Sequence, residues 1–179
     1  MQKIVWTFGL ISGAVMAAFM LATLPFVGTH GTADALVGYA GIVGAFLLVY
    51  FGVRSYRDTV RGGTISFGRA FSAGVLIAAI SSACYVATWE VIYHEFMPDF
   101  YTKYGQSVVE QARKSGKSET EVARVRADMD TMLERAKNPL FVIIMTFAEP
   151  FPVGLIVALV SAGVLRRKRE EPAAALVTA

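Results

Sequence analysis

Apolar residues in this chain gather into four long runs, and polar residues fill the gaps between them. The runs cover about residues 4–27, 35–53, 70–93 and 140–165. Each supplies close to the roughly 20 residues that a helix needs to cross a hydrocarbon core of about 30 Å. Lipid offers a backbone no water to bond with, so runs of this kind are expected to be helical. The pattern predicts an all-α polytopic membrane protein with four transmembrane helices. Residues 1–179 then form a single membrane domain, with 95–138 inserted between the third and fourth spans.

The insertion departs from the apolar pattern and reads as a helical hairpin. Pro98 either stops the third helix or opens a new one. Phe96, Phe100, Tyr104, Val108 and Ala112 recur every four residues, which suggests one helix face. Gly116 is placed to end that helix. Ser118-Glu-Thr-Glu121 has the form of a capping box opening the next helix. Val122, Val125, Met129, Met132, Leu133 and Ala136 then make an apolar stripe. The two stripes are expected to pack on each other outside the membrane, as a spacer or as a cap that binds a partner. Pro139 marks the start of the fourth span.

Charge sharpens this picture. Charged residues make up 17% of the chain, against about 25% in soluble domains. Between Lys3 and Arg54 the only ionisable side chains apart from tyrosine are His30 and Asp34. The net charge of +3 does not point to nucleic acid, because the basic residues sit beside apolar spans, as membrane orientation requires. Arg54, Arg57, Arg61 and Arg69 follow the second span, and Arg166-Arg-Lys-Arg169 follows the fourth. The tip from Gly28 to Asp34 carries no Lys or Arg, and the 95–138 insertion balances eight basic against eight acidic residues. These positions predict both termini in the cytoplasm and the insertion outside, in a bacterial inner membrane.

Small residues at four-residue spacing show how such helices could associate. They are Gly9, Gly13 and Ala17; Gly41 and Ala45; Ala70, Gly74, Ala78 and Ser82; and Gly154, Ala158 and Ala162. Helices in lipid gain little from hydrophobicity and depend on close backbone approach. These faces serve either a four-helix bundle or contacts between copies, and the spacing does not distinguish the two.

Few residues are left for chemistry. Glu149 lies roughly ten residues into the fourth span, in Phe147-Ala-Glu149-Pro150-Phe-Pro152. A charged acid near mid-bilayer costs about 2.5–3.5 kcal/mol. Either Glu149 is a neutral carboxyl donating a hydrogen bond, or it serves a site beside a helix broken by two prolines. Glu90 and His94 share one face near the outer end of the third span, where they form an interfacial ion pair beside Trp89, Tyr93 and Glu95 or, with Glu149, a proton relay or metal site. The ligand count falls short of a metal motif. The single cysteine, Cys84, excludes an intramolecular disulfide. Arg54, Arg57, Arg61 and Arg69 suit anionic lipid headgroups, and Asp58 can pair with Arg54 or Arg61. No nucleophile elbow, metalloprotease motif or dinucleotide fingerprint occurs, so neither catalysis nor a cofactor is expected.

Several segments together resemble a known family. They are Gly9-Leu-Ile-Ser-Gly13, Phe51-Gly-Val-Arg-Ser-Tyr-Arg-Asp58, Gly62-Gly-Thr-Ile-Ser-Phe-Gly-Arg-Ala-Phe71, Tyr85-x-x-x-Trp89-Glu90, and Pro152-Val-Gly-Leu155 followed by a basic tail. In this order they resemble the uncharacterised bacterial membrane family catalogued as domain of unknown function 4199 (DUF4199). The resemblance implies a small multi-span membrane protein and offers no catalytic residues to carry over. Two function classes follow as expectations. One is a non-enzymatic membrane protein that packs with itself or a partner protein. The other is a small proton-coupled carrier using Glu149.

Overall fold

Within the described residues each of the four apolar runs is helical, and the second helix extends past its apolar run into the arginine segment. The computed structural model describes residues 1–24 and 32–166, with side chains from residue 36 in the second helix. The tip residues Gly28 to Gly31 and the basic run Arg167-Lys168-Arg169 lie outside the described residues. The elements are α1 (Gln2–Thr23), α2 (Thr32–Ser55), α3 (Phe67–Val91), α4 (Phe100–Lys114), α5 (Glu119–Ala136), α6 (Pro139–Ala148) and α7 (Phe151–Leu165). Among the described residues, four helical stretches are long and apolar enough to cross a membrane: Gln2–Thr23, Leu36–Val60, Phe67–Phe96 and Pro139–Leu165.

Two of these helices end in a wider π-helical turn. The turn Tyr56–Val60 prolongs α2, and Ile92–Phe96 prolongs α3. The arginine-rich segment after the second span is therefore partly helical: Arg54 lies in α2 and Arg57 in the π turn. The chain reverses at Gly62 and Gly63, whose φ angles of 63° and 85° lie in the left-handed region that glycine adopts without strain.

The small-residue faces are used up inside the chain. A Cβ on Gly9 would meet Ile80, one on Gly13 would meet Cys84, and one on Gly41 would meet Phe19. A Cβ added at Gly74 would lie 2.8 Å from Ala158 Cβ, and one at Gly154 2.7 Å from Ala78 Cβ. Thus α3 packs against both α1 and α7, while α2 packs against α1 and α7. Phe46, Val49, Val53, Ile77, Ala78, Ala158 and Ala162 are fully enclosed between them. Polar bonds tie the same helices: the Ser12 hydroxyl donates to the Ala45 carbonyl at 2.9 Å. Ser81 Oγ sits 2.9 Å from the Ile77 carbonyl and 3.1 Å from that of Gly9. Leu10, Leu47, Ile144, Ile156 and Val164 remain on the outside, as lipid-facing residues do.

In the insertion, α4 and α5 pack on each other through Val109, Ala112 and Val122, with Val125 and Met129 against them. The α5 stripe is as the sequence predicts: Val122 and Ala136 are buried, and Val125, Met129, Met132 and Leu133 are half-buried. The α4 stripe is corrected. Its buried residues are Gly105, Val109 and Ala112, whereas Phe96 is 72% and Tyr104 47% exposed. Steps of four residues drift by about 40° each on a helix of 3.6 residues per turn, so Phe96 to Ala112 cannot hold one face. Phe96 also belongs to the π turn of α3, and α4 starts afresh at Phe100.

Local signals fix the ends of these helices. The α4 helix stops at Gly116 (φ 75°). Ser118 and Glu121 form the reciprocal capping box: Ser118 N–H donates to Glu121 Oε2 at 2.9 Å, and Glu121 N–H to Ser118 Oγ at 3.3 Å. The Ser118 bonds hold the Glu121 carboxyl below its ordinary value. A carboxylate with a depressed folded pKa stabilises above its unfolded value and loses that contribution as pH falls through the folded value. The α5 cap is therefore expected to be intact at neutral pH and to weaken below about pH 4.3, the ordinary glutamate value. Ser118→Ala should cost about 1 kcal/mol of local helix stability at pH 7. Amide exchange across residues 119–123 checks both statements.

Candidate functional site

The fourth span is continuous in direction but interrupted in its bonding. Glu149 and Pro150 keep right-handed helical angles, yet they separate α6 from α7. Neither Pro150 nor Pro152 has an N–H, so the Thr146 and Ala148 carbonyls lack their usual donors four residues on. The α7 helix resumes with Gly154 N–H donating to the Pro150 carbonyl at 3.0 Å. Glu149 thus sits at the joint between two half-helices.

Across the joint, the Tyr85 hydroxyl donates to Glu149 Oε2 at 3.1 Å. Glu149 itself stays on the surface of the folded chain. Tyr85, Trp89 and Tyr93 follow at four-residue steps on α3 and its π turn, about 6 Å apart. Glu149 is therefore level with Tyr85, one turn from Trp89 and two from Tyr93.

The aromatic rings form a continuous group at this corner. Trp89 meets Phe100 edge-on at 4.7 Å between centroids, and Tyr93 meets Tyr101 at 5.1 Å. Burial pushes the Tyr101 phenol above its ordinary value, with Tyr93, Glu90 and Glu149 adding to the effect and Trp89 opposing it.

Glu90 and His94 meet as their four-residue spacing predicts. His94 Nδ1 lies 2.9 Å from the Glu90 carbonyl and 3.6 Å from Glu90 Oε2. A carbonyl only accepts, so Nδ1 carries the proton and Nε2 is left to face outward. Glu90 Oε1 is buried with no hydrogen-bond partner. The pair lines a cleft of about 200 Å³ together with Tyr93, Lys137, Pro139 and Val142. Glu149 does not line this cleft. Among the described residues no three His, Cys, Asp or Glu side chains converge as a metal set.

At the opposite end, Arg54, Arg61 and Arg69 are exposed and Arg57 is half-buried. Asp58 pairs with Arg57, Nε to Oδ1 at 2.6 Å, and with Arg54 at 3.7 Å. Sequence reasoning gave Asp58 a helical partner one turn away; it missed Arg57, whose Nε reaches its own neighbour from the π turn. It also missed Tyr85 as the partner of Glu149. The available signal for Tyr85 was its position one turn before Trp89, which gives no hint of a residue 64 positions away.

Comparison with curated proteins and with solved structures gives no significant match. One family model covers almost the whole chain, from before the first packed glycine of α1 to beyond the end of α7. The chain belongs to this family, described as protein of unknown function DUF4199 and matched over residues 7–167.

Proposed function

We propose that this chain is a non-enzymatic, multi-pass protein of a bacterial inner membrane that assembles with a second copy or a partner protein. The face used is the one on the fourth span that carries Glu149. One observation carries the reading: an ionisable side chain about ten residues into a span lies on the outside of the folded chain. Acids within a membrane rarely face lipid; they face protein or a water-filled cavity. The small-residue faces are occupied within the chain, so contact with another chain falls to the remaining surface.

The supporting arrangement has both termini in the cytoplasm and the four membrane helices packed as a bundle. The α4–α5 pair forms an extracytoplasmic hairpin with balanced charge, and Arg54, Arg57, Arg61 and Arg69 meet anionic headgroups at the inner surface. Reporter fusions after Arg61, Gly116 and Arg169 test the topology; only the Gly116 fusion should read as external. Native mass measurement of the gently extracted chain tests assembly. The wild type should run above one chain's mass, and Glu149→Leu should shift it toward a monomer. A wild-type monomer that carries no companion would sink the proposal.

The Tyr85–Glu149 bond beside the proline joint favours a second reading. There the chain is a proton-coupled carrier. Under that reading Glu149→Gln abolishes a pH-dependent growth or uptake phenotype with expression retained. Under the assembly reading Glu149→Gln, which keeps a hydrogen-bonding group, leaves that phenotype unchanged.

A further inference from the structure

The cleft at Glu90 has a chemistry that neither reading above uses. It lies where the π turn of α3 faces the joint between α5 and α6. Its polar groups have opposite signs on a small scale. Among the described residues, Glu90 supplies a carboxyl whose Oε1 is buried without a donor and whose Oε2 lies 3.6 Å from His94 Nδ1. A buried carboxyl oxygen left without a donor is unfavourable. The two oxygens interchange by rotation about the last side-chain torsion, which is broad in glutamate, so a donor arriving in the cleft can reach either. Lys137 uses one of its three donors on Glu134 Oε1 at 2.7 Å, leaving two. His94 holds Nδ1 against the Glu90 carbonyl and leaves Nε2. Pro139 and Val142 add an apolar side.

We propose that this cleft binds a primary ammonium–phosphate zwitterion, the chemistry of an ethanolamine phosphodiester. The ammonium donates to Glu90 beside the Tyr93 ring. The phosphodiester oxygens accept from Lys137. The glycerol end lies along Pro139 and Val142. The cleft of about 200 Å³ has room for a headgroup of this size. The proposal rests on the membrane reading, because a lipid headgroup reaches this site only if the outer ends of α3 and α6 meet the membrane surface. Trp89 and Tyr93 beside it are residues typical of that level.

The chemistry has two sources, a phosphatidylethanolamine headgroup or the free phosphodiester, and the experiment separates them. The full chain in nanodiscs is titrated with phosphatidylethanolamine, phosphatidylcholine and phosphatidylglycerol, and separately with soluble glycerophosphoethanolamine, by native mass spectrometry. Trimethylammonium cannot donate to Glu90, so phosphatidylethanolamine should be retained about tenfold over phosphatidylcholine, as one hydrogen bond to a charged group predicts. Glu90→Gln should reduce that ratio to near one. Lys137→Gln should weaken all the phosphodiesters together and leave the ratio unchanged, which separates loss of the site from loss of the fold. Competition by glycerophosphoethanolamine at equal concentration supports the chemistry with a soluble source; retention of the lipid alone assigns the headgroup. Equal retention of the three lipids, or a ratio unmoved by Glu90→Gln, overturns the proposal. Alkaline carbonate extraction separates the two failures. A chain released from the membrane overturns the membrane reading, whereas a chain that stays and shows no preference overturns this proposal alone.

Discussion

Gly154→Ala is expected to destabilise the protein by roughly 2–3 kcal/mol, while Gly163→Ala on the same helix stabilises it by about 0.5–1 kcal/mol. The two substitutions add the same atom. At Gly154 that atom lands 2.7 Å from Ala78 Cβ and 2.8 Å from Phe46 Cζ. Neither can retreat: Ala78 has no further side chain, and Phe46 is fully enclosed. The helices must therefore part, and α7 loses its closest approach to α3. At Gly163 an added Cβ meets nothing within 4 Å, so only the helix preference of alanine over glycine remains. Thermal midpoints of the detergent-solubilised chain, followed by retention on size exclusion, check both. Equal shifts in the same direction would mean that packing at Gly154 is looser than the geometry requires.

The second large effect falls on Phe46→Ala, at about 3 kcal/mol, the lower end of the range for a buried phenylalanine. Lipid is as apolar as the helix core, so transfer from water contributes little to holding this ring in place. What the substitution removes is dispersion contact with the atoms around the cavity, including those at Gly154. The same thermal measurement reads it. Because Phe46 and Gly154 share one space, their effects should not add. Phe46→Ala combined with Gly154→Ala should be milder than the sum by about 1 kcal/mol or more, since the smaller side chain makes room for the added methyl. Simple additivity would show that the two sites do not meet.

The sequence announced the parts of this fold that rest on composition and local spacing. Four apolar runs became four long helices because lipid-length stretches without charge have few other outcomes. Glycines and alanines four apart became contact faces, and Ser118 with Glu121 became a cap, because each signal acts within a few residues. The α4 face escaped because a four-residue stripe was read across a helix start that Pro98 had displaced. Glu149 stood out as an acid in an apolar run, yet its partner did not: Tyr85 reaches it through the packing of α3 on the fourth span, a tertiary fact with no local mark. Glu90 and His94 were legible as a pair, and Lys137 was not, since it joins them only when the end of α5 comes back to α3.

The interruption at Glu149 and Pro150 also divides the fourth span mechanically. Below it, α7 is locked between α2 and α3 through Gly154, Ala158 and Ala162. Above it, α6 follows directly from α5 and touches α3. With two backbone bonds missing at the joint, a displacement of α6 is expected to bend the fourth span at Pro150 before it loosens the packing of α7. The proline pair would then act as a shear pin between the two halves of that span.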